Sequence, residues 1–264
     1  MKIPFRHNRA LSRRRFLRLL GMGTLAGAAF SAGAGEAIAR VEGALSEGPQ
    51  GLHAKQWAMA IDTRKLQEPE RLEAVINACH RAHNVPAVPP PQDVKWIWHD
   101  SLDAAFTDDV DEFMPQDVLE RQFLLLCNHC ANPACTRVCP TGATFRRDDG
   151  IVVMDYHRCV GCRYCMAACP YGSRSFNFQE PQGYLAETAS GYPPRMRGVV
   201  EKCNFCMERL AVGKTPLCVE ASQGAIVFGD LSDPDSAVRA VLAENLALRR
   251  KPALGTLPCV YYIL

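Results

Sequence analysis

"CVGCRYCMAACP", residues 159 to 170, is the stretch whose reading decides the fold. Cys159, Cys162, Cys165 and Cys169 stand at the spacing C-x2-C-x2-C-x3-C, and Pro170 follows the last of them. Three thiolates so close on one tight loop grip three corners of a cubane iron–sulfur cluster. The fourth leaves the loop on a short helical turn and points toward a neighbouring cluster, which it ligates instead. The proline fixes the direction in which the chain departs.

A neighbouring motif is present upstream. Cys127, Cys130, Cys135 and Cys139 form C-x2-C-x4-C-x3-C, again with proline next, at Pro140. Exchange of fourth ligands predicts one cluster on Cys127, Cys130, Cys135 and Cys169. It predicts a second on Cys159, Cys162, Cys165 and Cys139. Between the motifs, "ATFRRDDGIVVMD" (Ala143 to Asp155) reads as a hairpin with its turn at Asp148 to Gly150. "CPTGA" at Cys139 and "CPYGS" at Cys169 repeat one another, as a duplicated half-module would.

The chain has 264 residues, 13 of them cysteine, a formal net charge of +2 and 48% hydrophobic residues. That is enough for a real core and too little positive charge for a nucleic-acid binder. Cysteine at this density means disulfides, zinc or iron–sulfur clusters. A zinc ribbon needs two C-x2-C pairs separated by a loop of about 15–20 residues, whereas short gaps here complete two quartets. His129, inside "CNHC", reads as a Rieske-type ligand or, since both quartets are complete without it, as a packing or hydrogen-bonding residue.

Residues 1–39 read as an export signal. Arg13 and Arg14 in "SRRRFLRLL" precede an uncharged Gly/Ala-rich stretch from Leu19 to Gly35, and "AIA" (Ala37 to Ala39) offers a cleavage site. The pattern resembles a twin-arginine signal; the alternative is an uncleaved anchor, weakened by the five glycines in that stretch. Twin-arginine substrates resemble proteins exported already folded, with cytosolic thiols kept reduced for metal, so a disulfide framework is the weaker reading. The expected location is the periplasm.

A third motif begins at "CNFC" with Cys203 and Cys206 and continues to Cys218, then stops. Ser222 stands where a fourth cysteine belongs, or Ala221 if "QGA" (Gln223 to Ala225) aligns with "TGA" (Thr141 to Ala143). In this order the motifs resemble the four-cluster ferredoxin subunits that serve molybdopterin oxidoreductases and related membrane complexes. The resemblance covers the chain from about Trp57 to its end. In those subunits the second and third motifs exchange ligands, as do the first and fourth. The first motif should follow "MAIDTRK" (Met59 to Lys65), yet Pro69, Leu72 and Val75 stand at its first three places and only Cys79 remains. By resemblance, Cys203, Cys206, Cys218 and Cys79 then hold a third cluster. The ligands lost at Pro69, Leu72, Val75 and Ser222 all belong to a fourth, which is missing whole. The expectation is three [4Fe-4S] clusters. Cys79 taken alone reads equally as a structural thiol, and Cys259 reads as a buried small hydrophobe.

"WAMAIDTRK", "HNVP", "VKWIWHD" and "MDYHRCVGCRYCMAACPYGSRSFNF" resemble, within that family, the DsrO-type subunit of DsrMKJOP-like complexes. This implies an integral membrane quinone-reactive subunit and a c-type cytochrome subunit as partners, in dissimilatory sulfur metabolism. No catalytic residues are expected, since there is no Ser/His/Asp set, P-loop or dinucleotide fingerprint. Two other readings stand: a subunit of a molybdopterin polysulfide, tetrathionate or nitrite-type reductase, and a metal-stapled scaffold without redox function.

The expected fold is α+β: two ferredoxin-like modules related by pseudo-twofold symmetry, within a domain spanning residues 40–264. Module A covers about 123–178, and module B joins about 57–85 to 195–264. Residues 99–117 form an acidic insertion, either solvated or a docking face for a basic partner. Residues 85–92, "VPAVPPPQ", read as a stiff connector, and Asp235 to Leu248 as an amphipathic helix packed on the domain.

Overall fold

Every second residue of one buried strand, β1 (Trp57–Asp62), is large. The structure, a computed structural model, describes residues 50–107, 111 and 113–264. The expected export signal, and Asp108, Asp109 and Glu112 of the acidic segment, lie outside the described residues. Because strand side chains alternate faces, Trp57, Met59 and Ile61 enter the main core while Ala58 and Ala60 line the opposite face.

In chain order, β1 leads through a 3-10 turn to α1 (Pro69–Ala82). An antiparallel ribbon of β2 (Ile97–Ser101) and β3 (Gln122–Leu126) follows, enclosing the short helices α2 (Leu102–Ala105) and α3 (Gln116–Leu119). Then come α4 (Ala134–Arg137), the hairpin β4 (Thr144–Arg146) and β5 (Val152–Met154), and α5 (Tyr164–Ala167). β6 (Ser175–Phe176) pairs with β7 (Val200–Glu201). The chain closes with α6 (Met207–Leu210), α7 (Leu217–Ala221), β8 (Ile226–Asp230), α8 (Ala237–Glu244), β9 (Ala247–Leu248) and β10 (Val260–Ile263).

A four-stranded sheet of order β8-β1-β10-β9 unites the two ends of this fold, with β1 and β10 parallel and the other neighbours antiparallel. On its alanine face α8 inserts Val238, which is fully buried. Gly229 of β8 permits this approach, since a Cβ there would lie 2.4 Å from the Ser236 hydroxyl. The helix ends earlier than its sequence pattern suggests. Asn245 turns extended, and Leu248 pairs with Tyr262, so backbone pairing with β10 overrides helical periodicity. On the other face, Phe106, Phe123 and Tyr262 pack edge to face, with centroids 5.2–6.1 Å apart.

The hairpin over Ala143 to Asp155 forms as expected. Thr144 pairs with Met154, and Gly150 adopts φ +87° at the turn. The acidic segment is anchored at its start: His99 to Ser101 belong to β2, and Leu102, Ala105 and Phe106 are buried in the main core. Among the described residues no helix is long and apolar enough to cross a membrane.

Candidate metal centres

Three sets of thiols converge. In each, two cysteines lie on a tight loop; the third is on the short helix after it in the first two sets, and on the second helix after it, α7, in the last. The loops need left-handed backbone, supplied by His129 (φ 40°), by Gly161 and Arg163 (φ 69° and 63°), and by Phe205 and Cys206 (φ 55° and 51°). Gly161 has little choice of side chain: a Cβ would lie 2.4 Å from the Gly198 carbonyl oxygen. α4 carries Cys135, α5 carries Cys165 and α7 carries Cys218. Cys139 and Cys169 follow α4 and α5, and those helical turns aim them away from their own loops.

The first cavity is lined by Cys127, Cys130, Cys135 and Cys169. The second is lined by Cys139, Cys159, Cys162 and Cys165. Each brings together three cysteines of one motif and the fourth of the other. The third set, Cys79, Cys203, Cys206 and Cys218, joins α1 to the last motif. Burial pushes the Cys79 thiol well up, and Cys203, Cys206 and Cys218 push it further, which requires all four to be near one another. Of the first set, Cys130 rises to about 12, chiefly by burial and then through Cys127. Cys218 also reaches about 12 through burial, and burial raises Cys203 and Cys206. Thiolates here need a compensating cation, and metal binding displaces their protons. Cys139 differs: partial burial raises it, but hydrogen bonds from the Thr144 backbone and the Thr141 hydroxyl prevail and lower it.

The residues present fit an iron–sulfur group on a second ground. Asn128 is buried, lines the first cavity and has no hydrogen-bond partner for either side-chain polar atom. Such orphaned groups are costly in a dry site, and a sulfur-rich group bound in that cavity would offer the amide nitrogen an acceptor. The backbone N–H of Phe205 already points at the Cys203 sulfur, 3.4 Å away.

The three sets differ in exposure. Cys79, Cys203, Cys206 and Cys218 are all buried, whereas Cys162 is exposed and Cys139 and Cys159 are half-buried. Apolar Val160 and Tyr164 stand open to solvent beside Cys162. Where a fourth cluster would bind, α1 presents Leu72 and Val75 to the core, both buried. Ser222 is fully buried with its hydroxyl committed, donating to Val219 O (2.7 Å) and accepting from Ile226 N (3.0 Å).

His129 is a packing residue in this structure. It is fully buried, its Nδ1 accepts from Val152 N at 3.1 Å, and its ring stacks on Phe205 at 3.7 Å. Burial, followed by the charges of Lys202 and Arg174, holds its pKa well below the usual value. Cys259 is 2% exposed beside Ala58, Ala60 and Val238, and its sulfur accepts from Gln56 Nε2 at 3.2 Å.

Sequence reasoning missed two buried cations. Arg174, 4% exposed, donates from Nη2 to the Cys135 sulfur (3.0 Å) and to Thr144 Oγ1 (2.8 Å). Burial pushes Cys165 up and the Arg174 guanidinium acts against it, so Arg174 stands between the first and second sets. Lys202, 1% exposed, donates from Nζ to the carbonyls of Val152 and Cys203 (2.7 Å to the latter). Val152 lines the first cavity and Cys203 belongs to the third set. Their positions were no more than suggestive in the sequence: one precedes Cys203 directly, the other follows Pro170 by four residues. A third group lies over the Cys79 set: His83, buried, donates from Nδ1 to Cys79 O (2.8 Å) and meets the Glu208 carboxylate through Nε2 at 2.8 Å.

Residues 121–184 match the family described as a 4Fe-4S dicluster domain. Over 96% of its length the chain is 39% identical to the Hdr-like menaquinol oxidoreductase iron-sulfur subunit 1 of Archaeoglobus fulgidus, of which it covers 97%. It is 35% identical to a selenate reductase subunit of Mesobacillus selenatarsenatis, over 80% of this chain and 73% of that one. It is 39% identical to the menaquinone reductase iron-sulfur cluster-binding subunit of Nitratidesulfovibrio vulgaris, over 52% of this chain and 63% of that one.

Proposed function

The chain belongs to the family of iron–sulfur subunits found in Hdr-like menaquinol oxidoreductase and related oxidoreductases, and from that premise we propose an electron relay with three [4Fe-4S] centres. Cys127, Cys130, Cys135 and Cys169 hold the first. Cys159, Cys162, Cys165 and Cys139 hold the second. Cys79, Cys203, Cys206 and Cys218 hold the third. Bound there, such clusters supply reversible one-electron transfer. The protein supplies burial, donors to sulfur and a fixed order of centres. The observation that carries this reading is the exchange itself, because each cavity gathers ligands from two motifs.

In this proposal the chain is a DsrO-like subunit, exported by the twin-arginine route and working at the periplasmic face of a DsrMKJOP-like complex. It passes electrons between a quinone-reactive membrane subunit and a c-type cytochrome, and acts on no substrate itself. Two module halves related by pseudo-twofold symmetry carry the centres. Exposed Cys162 with Val160 and Tyr164 beside it supports docking of the membrane subunit at the second centre. Leu72, Val75 and the committed hydroxyl of Ser222 support three centres over four. The relay is thereby shortened at the end where a molybdopterin subunit docks in four-cluster relatives, which favours a cytochrome partner reaching the Cys79 centre.

Anaerobically purified protein should contain about 12 iron and about 12 acid-labile sulfide per chain, with broad visible absorbance bleached by dithionite. About 16 iron refutes the missing centre, and about eight refutes the Cys79 centre. Absorbance that dithionite does not bleach refutes the relay. A structure of the assembled complex with a molybdopterin subunit over Pro69, Leu72 and Val75 refutes the partner assignment.

A further inference from the structure

Buried charges in this protein fall into two groups. Arg195 is paired: its guanidinium meets Glu201 at 2.7 Å, with the two side chains 1% and 0% exposed. Arg174, Lys202 and Arg250 are not. Among the described residues none of the three has a carboxylate within ion-pair distance; Arg250 donates to the carbonyls of Ala105 and Tyr171, whereas the partners of Arg174 and Lys202 are backbone carbonyls, a hydroxyl and sulfur at the thiol sets. An unpaired buried cation costs several kcal/mol, and for Arg174 and Lys202 the thiol sets, once they hold metal as thiolates, supply the anionic counterpart.

The placement of the two cations is uneven. Arg174 touches Cys135 of the first set and acts on Cys165 of the second. Lys202 binds the Val152 carbonyl at the first cavity and the Cys203 carbonyl in the third set. The first set therefore faces both cations and each outer set faces one. The third set also faces an opposing charge, since the Glu208 carboxylate bears on Cys79 and Cys206. Adding one electron to a cluster adds one negative charge, which nearby buried cations stabilise strongly where the dielectric is low.

We propose that Arg174 and Lys202 are potential-setting residues. By flanking the Cys127/Cys130/Cys135/Cys169 centre from both sides, they make it the most readily reduced of the three. One electron arrives from one neighbouring centre and departs to the other, and neither residue gains or loses a proton in the step. The inference rests on the three-centre reading above, and the two fail in different ways: iron analysis judges that reading, and midpoint potentials judge this one.

The test uses the full chain, purified anaerobically, with redox titration followed by EPR on wild type, Arg174→Gln, Lys202→Gln and Arg174→Lys. In both neutral variants the same signal, the one of highest potential, should become at least tenfold harder to reduce. That is a fall of about 59 mV or more for one electron. Arg174→Lys, which keeps the charge, should restore most of the shift. The proposal is overturned if the highest potential is unchanged in both neutral variants with iron intact, or if the two variants lower different signals. Loss of iron from both neutral variants would assign the residues a structural role instead and likewise overturn it.

Discussion

Replacing Cys79 with alanine separates the exchanged-ligand reading from the ordinary one, in which Cys79 is a structural thiol in α1. Cys79 is 5% exposed, and its three partners arrive from the far end of the sequence. Without metal, ionising one of them is prohibitive: with Cys218 pushed up to about 12, its thiolate costs about 7 kcal/mol at pH 7. Three such thiols with no fourth ligand hold a cubane poorly. Cys79→Ala should lower iron from about 12 per chain to about eight if the centre is lost, or to about 11 if one iron is shed and three remain. Cys259→Ala should leave iron and EPR signals unchanged, because Cys259 packs between β1 and α8 and its sulfur meets Gln56 and the Leu257 carbonyl. The assays are iron and labile sulfide on anaerobic protein, with EPR of the reduced sample. Full iron in Cys79→Ala, or lost iron in Cys259→Ala, refutes the pairing.

Glu201→Ala removes the carboxylate that accepts from Trp96 Nε1 (2.8 Å), Arg195 Nε (2.8 Å) and Asn177, leaving a buried guanidinium unpaired. It should destabilise the fold by about 3–5 kcal/mol in chemical denaturation, whereas Asp117→Ala, which breaks the exposed pair with Arg121, should cost at most about 1 kcal/mol. Asp62 accepts from Arg64, and that hydrogen bond, against the opposing effect of burial, holds its carboxyl below the ordinary 3.8. A depressed folded value contributes stability that is present above pH 3.8 and lost as pH falls through the folded value. Asp62→Asn should therefore flatten the acid limb of a thermal-stability profile and leave its shape above pH 5 unchanged; an unaltered acid limb would count against it.

The convergence of the first two thiol sets was legible in the sequence because their spacing is local, whereas Cys79, far from Cys203 in the chain, was placed only by resemblance. Short gaps fix which thiols share a loop, and the turn after each loop fixes where the fourth points. The hairpin over Ala143 to Asp155 was legible for the same reason, since both strands and their turn lie within 13 residues. The sheet was not. β1 pairs with β8 and β10, which lie more than 150 residues away, and no periodicity within β1 names its partners. α8 illustrates the limit from the other side: its helical pattern runs on to Leu248, but the edge of β10 claims that residue.

The cations are a different kind of omission, one that follows from how charge is read in a sequence. Lys and Arg are nearly always at the surface, so Lys202 in "EKCNFC" and Arg174 in "GSRSF" pass as solvated. Only burial distinguishes them, and burial here is a product of topology. β5 must run beside the last cysteine motif before the Val152 carbonyl can meet Lys202. The chain after Pro170 must return past α4 before Arg174 can reach Cys135. Both conditions are met by the segments that bring the thiol sets together, so the fold that gathers the thiols also gathers Arg174 and Lys202. Arg195, by contrast, has a dedicated carboxylate in Glu201. Arg174 is set apart from Arg195 and Arg250 by donating directly to a thiol sulfur, that of Cys135, and this contact, which cysteine spacing does not supply, is what the proposed potential-setting role builds on.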